Sequence, residues 1–317
     1  MRSANPAVSV LIPAYRVTAY IAETIESALG QTRLDHEILV INDGCPDTEQ
    51  LERALAPYQE RIHYIKQANG GPGAARNRGL AEAAGRYIAL LDGDDRWEPT
   101  YIERQLGWME RDPSVDLLYP NSAVFGGSAR DGVLTRESSE RREPATLDTL
   151  LEGTNVVNNV AMFKKEIAVR AGGWDPEMRH AEDFDLWVRI AAMGGKILYN
   201  PEVLAGYRIR PGSQTEDATA MYGGQIRVCE KSLRAPAVTD NQRRLMEWRI
   251  AWAKAHQHLV AGKQAFAAGN GRAAREHFEQ TYPYASNRKI RLILAGLRVF
   301  PSGTAALAGY LGGRRRA

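Results

Sequence analysis

The chain contains the apolar stretch Tyr87-Ile-Ala-Leu-Leu91, followed directly by Asp92-Gly93-Asp94-Asp95. A short, unbroken apolar run is typical of a buried parallel strand. Open α/β sheets bind their ligands at the carboxyl ends of such strands, and here that end carries three carboxylates. Carboxylates this close repel one another unless a cation such as Mg²⁺ or Mn²⁺, or a set of donors, neutralises them. A plain solvated turn is the alternative at this stage, since Asp and Gly favour turns.

The flanking sequence alternates between strand and helix patterns over the first 120 residues. This order predicts a mostly parallel sheet with right-handed crossovers. The predicted strands are Val8–Ile12, Glu37–Ile41, Ile62–Ile65, Tyr87–Leu91 and, further on, Val160–Phe163. The predicted helices are one capped by Thr18, then Leu51–Leu55, Ala74–Ala84, Tyr101–Met109, Lys165–Ala171 and Glu182–Ala192. Residues 126–146 are polar and aperiodic, which predicts either a mobile loop over the site or a plain surface loop, and the surface loop is favoured.

From about Tyr222 onward the apolar spacing becomes helical throughout. We therefore expect an α/β domain over residues 1–220 and a helical region over residues 221–317. Gly262–Phe278 predicts a helix–turn–helix hairpin that is similar to one tetratricopeptide unit. A lone copy is a weak match because such repeats need stacked neighbours, so a helical bundle that braces the first domain is favoured.

Composition excludes several classes of protein. The net charge of +3 gives no argument for nucleic-acid binding. Cys45 and Cys229 provide no disulfide framework, which suits a reducing compartment. No run reaches the roughly 20 apolar residues that span a bilayer, and the first residues lead into a strand without the apolar segment of a signal peptide. We expect a cytoplasmic protein that does not cross a membrane.

The sequence near the carboxyl end combines apolar and basic residues, a pattern of helices that lie in an anionic membrane interface. The apolar residues are Leu292, Ile293, Leu294, Leu297, Val299 and Phe300, and the basic ones are Arg288, Lys289, Arg291, Arg298 and Arg314–Arg316. The alternative is that this apolar face packs on the helical bundle that begins at Trp248. Packing is favoured, because the face is short and Pro301 interrupts it.

Three other predicted strands also end in unusual loops. Pro13-Ala14-Tyr15 stands where a dinucleotide-binding fold needs Gly-x-Gly-x-x-Gly, so hydride transfer loses its main support. Tyr15 could stack on a base, and Asp43 could accept a hydrogen bond from the imide N–H of uracil. The third loop, Asn69-Gly-Gly71-Pro-Gly73, allows close backbone approach, and Arg76 after it could meet a base edge or a phosphate.

Together these stretches resemble the family 2 glycosyltransferases, inverting enzymes with the Rossmann-like GT-A nucleotide-sugar-binding fold. The resemblance covers residues 6–215 in the family's order and spacing. The matching stretches are Val8–Tyr15, Ile41–Gly44, Gly73–Gly79, Leu91–Asp95, Gly172–Asp175 and Ala181–Arg189. It implies an α/β GT-A domain of mixed, mostly parallel sheet, followed by the helical region.

The resemblance also implies roles for individual residues. Asp43 would bind the nucleobase, Asp92 the ribose side of the donor, and Asp94, with Asp92, a divalent metal that bridges the diphosphate. Asp183 would be the general base that inverting transfer requires on the face opposite the leaving group. An acidic residue that favours a helix start is the competing explanation for Asp183. Trp174 and Glu182 would orient the acceptor or the base.

Two departures from the family pattern affect the site. Asn42-Asp43 replaces the common pair of acidic residues, which keeps an acceptor but removes one charge. Arg210 stands where many relatives place a His that contacts the metal or the diphosphate. Because Arg cannot ligate a cation but can neutralise phosphate, we expect Arg210 to bind the diphosphate and to share the leaving-group role with the metal.

These residues predict an inverting glycosyltransferase that uses a nucleoside diphosphate sugar, with UDP-sugar favoured by Asp43 and Tyr15. The expected cofactor is Mn²⁺ or Mg²⁺. The expected acceptor is a growing cell-surface glycan, carried on a lipid in one version of the hypothesis. The alternatives are a nucleotidyltransferase, which needs no base like Asp183, and a non-catalytic scaffold, which the intact Asp92, Asp94 and Asp183 argue against.

Overall fold

The structure is a computed structural model that describes residues 5–135, 143–235, 238–282, 284–285 and 287–299. The chain divides into two compact units, Met1–Ser213 and Gln214–Ala317. The first unit is α/β and the second is helical. Residues 136–142 of the predicted loop, Phe300, Pro301 and Arg314–Arg316 lie outside the described residues.

An eight-stranded sheet forms the centre of the first unit, in the order β3-β2-β1-β4-β7-β6-β8-β5. Four neighbouring pairs are parallel, whereas β7 runs antiparallel to β4 and β6, and β5 antiparallel to β8. The sheet is therefore mixed, as expected. Its strands are β1 (Val8–Ala14), β2 (His36–Asp43), β3 (His63–Gln67), β4 (Tyr87–Leu90), β5 (Arg96–Trp97), β6 (Leu117–Phe125), β7 (Met162–Lys164) and β8 (Ile197–Arg208).

The strands β5, β6 and β8 are not predicted from the sequence. Pro120 lies within β6 and Pro201 lies within β8, and a Pro inside an apolar run normally argues against a strand. Here the pairing of β6 with β8 shifts register on both sides of Asn121, which accommodates the irregularity. Tertiary pairing thus overrides the local signal.

In the described part of the first unit, seven α-helices pack on the two faces of this sheet. They are α1 (Ile21–Leu29), α2 (Thr48–Leu55), α3 (Pro72–Glu82), α4 (Tyr101–Arg111), α5 (Leu147–Glu152), α6 (Lys165–Arg170) and α7 (Glu182–Ala192). The prediction for α7 is confirmed at both ends. The prediction that Thr18 caps α1 is wrong: α1 begins after Tyr20, and the Thr18 hydroxyl instead donates to Asp47 Oδ2 at 2.5 Å.

Two apolar cores hold the helices to the sheet. In β1, Val10 and Ile12 point into the core that includes Ile21 and Ile25 of α1. Leu11, between them, points into the other core with residues of α3 and α7. A strand buried on both faces needs apolar residues at consecutive positions, which is why β1 and β4 show unbroken apolar runs.

Close contact between α3 and the sheet depends on Gly79. A Cβ at this position would lie 2.9 Å from Leu11 Cδ2 and 3.0 Å from Ile41 Cδ1, inside a buried core. α3 carries Arg76 and follows the glycine-rich loop, so its close approach fixes both relative to β1 and β2.

The second unit contains α8 (Ala218–Ser232), α9 (Asp240–Ala267), α10 (Gly271–Glu279) and α11 (Arg288–Val299). The end of α9 and α10 form the predicted hairpin, in which Gly262 lies against the Phe278 ring. Ile293, Leu294 and Leu297 of α11 are buried in the same core as Phe278. This apolar face of α11 thus packs on the helical bundle, as the sequence analysis favours. No described helix is long and apolar enough to cross a membrane.

We expect Gly79→Ala to lower the free energy of unfolding by about 1–3 kcal/mol, because the added methyl overpacks a core that has no space for it. Urea titration measures this change. Gly107→Ala in α4 is the matched control, since its Cβ would meet only Arg111 Nη1 at 3.7 Å. The control should be neutral or stabilise by up to about 1 kcal/mol through helix propensity. Equal effects at the two positions would refute the close-packing argument.

Candidate active site

The predicted loops meet at one edge of the sheet. β2, β1 and β4 are adjacent and parallel, so their carboxyl ends lie side by side. The start of α3 also lies against the segment before α7, because a Cβ on Gly73 would be 3.2 Å from Trp174 Cβ and 3.7 Å from Glu182 Cβ. The structure therefore brings the predicted donor loops and the predicted base together.

Arg76 links these two parts of the site. Its guanidinium donates from Nη2 to Asp92 Oδ1 at 2.8 Å and from Nη1 to Glu182 Oε1 at 2.7 Å. Arg76 and Glu182 are buried, with 3% and 6% of their side chains exposed, whereas Asp92 is 33% exposed. Burial lowers the pKa of Arg76, but the three nearby carboxylates of Asp92, Glu182 and Asp183 raise it further, so the guanidinium stays charged.

The Arg76 guanidinium lies between two carboxylates. Each Nη group donates to one of them, and Nε is buried without a hydrogen-bond partner among the described residues. The contact of Arg76 with a base edge or a phosphate stays a prediction.

Asp43 is buried at the end of β2 and organises the glycine-rich loop. Its Oδ1 accepts hydrogen bonds from Gln67 Nε2 at 2.7 Å and from the Gly70 amide at 2.8 Å, and its Oδ2 from the Gly71 amide at 2.8 Å. Asn69 Nδ2 adds a longer bond to Oδ2 of 3.2 Å. Gly71 has a φ of +88° that other residues rarely adopt. Asp43 therefore shapes the turn that begins α3, and its contact with a nucleobase stays a prediction.

The loop after β1 lies beside the acidic tetrad. Ala14 is buried, whereas Tyr15 is 40% exposed and has the Arg16 guanidinium 5.4 Å from its ring centroid. A Cβ on Gly93 would come within 2.8 Å of the Pro13 carbonyl oxygen, so only glycine allows this approach. Because its ring is partly exposed, Tyr15 is accessible to a planar ligand.

The aspartates of the tetrad have three different surroundings. Asp92 Oδ2 accepts a hydrogen bond from Asn159 Nδ2 at 2.8 Å, in addition to the contact with Arg76. Asp94 Oδ2 forms an ion pair with Arg210 Nε. Asp95 is buried, its Oδ1 accepts from the Arg208 amide at 2.8 Å, and burial with two neighbouring carboxylates raises its pKa well above the usual range.

Asp94, predicted to bind the metal, and Arg210, predicted to bind the diphosphate, form an ion pair with each other. Burial, and next the charge of Asp92, raise the pKa of Asp94, while the Arg210 guanidinium opposes this shift. Arg208 holds the backbone of Asp94 in place, since its Nε donates to the Asp94 carbonyl oxygen at 2.7 Å. Arg208 also forms an ion pair with Glu23. The positively charged guanidinium of Arg210 therefore lies against Asp94, the carboxylate predicted to bind the metal.

The same geometry tests whether a divalent metal fits. Across the described ranges, no group of three or more His, Cys, Asp and Glu side chains is placed to hold a metal ion. Both oxygens of Asp92 are engaged by Arg76 and Asn159. Mg²⁺ commonly takes one or two carboxylates together with substrate phosphates and water. Asp94 alone could supply such a ligand, with the remaining ligands coming from a bound diphosphate and water.

Asp183 lies in the first turn of α7, next to Glu182. The N-cap position belongs to Ala181, which has a left-handed φ of 59°, and no side chain caps this helix. Asp183 is partly exposed, and its Oδ1 accepts from the Phe184 amide at 2.7 Å. Loss of hydration at the half-buried carboxyl group, and next the Glu182 charge, raise the pKa of Asp183 to about 7, although Arg76 lowers it. A carboxylate with this pKa suits general base catalysis near neutrality.

Trp174 lies close to the start of α3, because a Cβ on Gly73 would be 3.2 Å from Trp174 Cβ. It is buried, packs edge-on against Phe163, and its backbone is held by Asn77. Its Nε1 is buried with no hydrogen-bond partner in the described part of the chain. The packing explains its position, and its role in orienting an acceptor stays a prediction.

Two residues of the site are not predicted from the sequence: Asn159 and Arg208. Asn159 Oδ1 is buried and has no hydrogen-bond partner among the described atoms, while its Nδ2 holds Asp92. The Asn158-Asn159 pair directly before an apolar run was an available signal, because polar pairs at strand starts need partners. Arg208 lies two residues before Arg210 but contacts the Asp94 carbonyl, whereas Arg210 contacts the Asp94 carboxylate. No local sequence pattern shows this difference.

The sequence profile of glycosyl transferase family 2 matches residues 9–168. The fold and the strand-end site define a GT-A glycosyltransferase. The chain belongs to glycosyl transferase family 2, and the expected resemblance is confirmed. Membership favours glycosyl transfer over the nucleotidyltransferase and scaffold alternatives.

Two relatives from Bacillus subtilis illustrate the similarity. The uncharacterized glycosyltransferase EpsJ is 46% identical over 67% of this chain and 63% of its own length. The putative teichuronic acid biosynthesis glycosyltransferase TuaG is 29% identical over 66% of this chain and 81% of its own length.

Two solved structures are similar in fold at low sequence identity. Staphylococcus aureus TarS 1-349 in complex with UDP-GlcNAc has a TM-score of 0.63 and 16% identity, with 98% of this chain and 93% of that chain covered. The mannosyltransferase PcManGT from Pyrobaculum calidifontis, in complex with GDP-Man and Mn²⁺, has a TM-score of 0.59 and 19% identity, with 96% and 87% covered. Both confirm the expected fold.

We expect Arg76→Met to destabilise the protein by about 3–5 kcal/mol, because it leaves Glu182 buried without its cation. Urea titration measures the loss. Arg78→Met, on the same helix, is the matched control: Arg78 is half exposed and pairs with Glu82 at 2.9 Å. An exposed pair of this kind contributes less than about 1 kcal/mol.

The double variant Arg76→Met/Glu182→Gln should recover part of that stability, since it removes the unpaired charge. If Arg76→Met costs no more than Arg78→Met, the buried bridge is not a stabilising contact.

Proposed function

We propose that this enzyme transfers a sugar, with inversion, from a nucleoside diphosphate sugar to a hydroxyl group of a cell-surface polysaccharide. The observation that carries the proposal is the Arg76 bridge, which places the Glu182-Asp183 pair beside Asp92 of the donor loop. A base positioned next to the donor is what a single displacement needs.

In this mechanism Asp183 accepts the proton of the acceptor hydroxyl as its oxygen attacks the anomeric carbon. The attack comes from the face opposite the diphosphate, so the bond to the diphosphate oxygen breaks and the anomeric configuration inverts. Glu182 keeps Arg76 in place and raises the pKa of Asp183. The base is therefore strong enough to take a proton in the transition state.

The departing diphosphate needs positive charge. Arg210 provides a guanidinium beside Asp94, and guanidinium groups bind phosphate oxygens in two-pronged geometry. Mn²⁺ or Mg²⁺ at Asp94 would add Lewis-acid stabilisation of the leaving group. We propose that Arg210 carries part of this charge in its own right.

UDP-sugar is the proposed donor. The accessible ring of Tyr15 offers a stacking surface for a base, and Asp43 lies at the adjacent strand end. The TarS structure in complex with UDP-GlcNAc supports a UDP-sugar donor. Because PcManGT was solved with GDP-Man, binding tests should include a GDP-sugar as the alternative donor. The name of TuaG supports a polysaccharide acceptor.

We expect Asp183→Asn to retain affinity for UDP and to lower turnover by about 100-fold or more, the scale of a lost general base. Calorimetric titration with UDP and a sugar-transfer assay measure the two effects. Asp240→Asn is the control, because it removes the same charge from the first turn of α9. It should leave both values unchanged.

The pH profile gives a second readout of the same prediction. Only deprotonated Asp183 can accept the proton, and its pKa is raised to about 7. The value of kcat/KM should therefore rise with pH up to about 7 and level off above it, and this limb should vanish in Asp183→Asn. Persistent turnover in Asp183→Asn would show that Asp183 is not the base.

If Arg210 shares the leaving-group charge, EDTA should reduce the rate without abolishing it. Arg210→Ala should then lose about 100-fold in EDTA, as expected when a donor to a developing oxyanion is removed. Arg210→His should make the enzyme more dependent on metal. Arg104→Ala, which removes an exposed arginine of α4, is the control. Complete loss of activity in EDTA, with Arg210→Ala equal to wild type in Mn²⁺, would contradict this division of roles.

A further inference from the structure

α11 has two chemically different faces. Ile290, Ile293, Leu294 and Leu297 are buried in the core of the second unit, together with Phe278. Of the six apolar residues in the sequence pattern, Ile293, Leu294 and Leu297 are therefore used for packing, whereas Leu292 and Val299 are exposed. The face that points away from this core is exposed.

The exposed face combines basic and aliphatic side chains. Leu292 and Val299 are 56% and 68% exposed, and they are seven residues apart, so they lie on one stripe of the helix. Four exposed basic residues flank this stripe: Arg288, Lys289, Arg291 and Arg298. The helix contains no acidic residue, and Glu279 of α10 reaches only Arg298, at 3.3 Å.

Two tyrosines extend this surface. Tyr282 and Tyr284, just before α11, are 68% and 40% exposed. Tyrosine is enriched at membrane–water interfaces, where its ring contacts the acyl region and its hydroxyl stays hydrated. Exposed large apolar groups next to a cluster of cations are the composition of helices that lie on anionic bilayers.

The two units of the chain carry net charges of opposite sign. Residues 214–317 contain 17 Lys and Arg but 7 Asp and Glu, a net charge of +10. Residues 1–213 contain 24 Lys and Arg but 31 Asp and Glu, a net charge of −7. A strongly anionic surface would therefore attract the second unit and repel the first.

We propose that the exposed face of α11, together with Tyr282 and Tyr284, docks this protein on an anionic lipid bilayer. The cations attract the lipid headgroups, and Leu292, Val299 and the tyrosines enter the interface. A nucleic acid would use the cations but not the aliphatic stripe, which favours the bilayer as the partner. The proposal is independent of the proposed glycosyl transfer.

Sedimentation of the full chain with lipid vesicles tests the proposal. We expect binding to vesicles of equal parts phosphatidylglycerol and phosphatidylcholine at low salt, release at high salt, and no binding to pure phosphatidylcholine. Arg288→Gln/Lys289→Gln/Arg291→Gln should weaken binding by about 100-fold, from roughly a fivefold loss per removed charge. Leu292→Ser/Val299→Ser should weaken binding even though the charge is unchanged.

The control is Arg227→Gln/Arg243→Gln/Arg244→Gln, which removes three exposed charges from α8 and α9. This variant should bind vesicles nearly as well as the wild type, and thermal melting should show that all variants are folded. No sedimentation of the intact chain would overturn the proposal. So would equal losses in the α11 variant and the control, or tight binding of single-stranded RNA that is unaffected by Leu292→Ser/Val299→Ser.

Discussion

The site depends on one buried cation, the guanidinium of Arg76. It is surrounded by carboxylates from the loop after β4 and from α7, segments that are far apart in the sequence, and it joins them through Asp92 and Glu182. A buried charge of either sign would be costly alone, so neither element can move away without leaving an unpaired ion. The same cation limits how far the pKa of Asp183 rises. Position and basicity of the proposed base thus have a common physical origin.

The acidic tetrad shows how burial gives neighbouring residues different roles. Asp92 faces Arg76 and Asn159, Asp94 pairs with Arg210, and Asp95 is buried against the Arg208 backbone. The repulsion expected among three adjacent carboxylates is therefore relieved by three separate sets of partners. Arg210 places a positive charge beside Asp94 in the loop after β4.

The two units differ in charge as well as in fold. The first is acidic overall, while the second is strongly basic and displays an aliphatic and aromatic surface around α11. If α11 docks on a bilayer, the enzyme would be concentrated where lipid-carried acceptors occur. An acidic catalytic unit would be repelled by the same surface and would stay in water, where a nucleotide-sugar donor is available.

By itself the sequence determined the features that depend on local pattern. Unbroken apolar runs specified β1, β2 and β4, helical spacing specified α7, and the residues after each strand indicated a ligand-binding edge and the family. Tertiary structure decided what lies next to what. It placed Arg76 between Asp92 and Glu182, formed β6 and β8 despite Pro120 and Pro201, and chose which face of α11 is buried. The physical reason is that ion pairs, strand pairing and burial depend on residues far away in the sequence, which local periodicity does not specify.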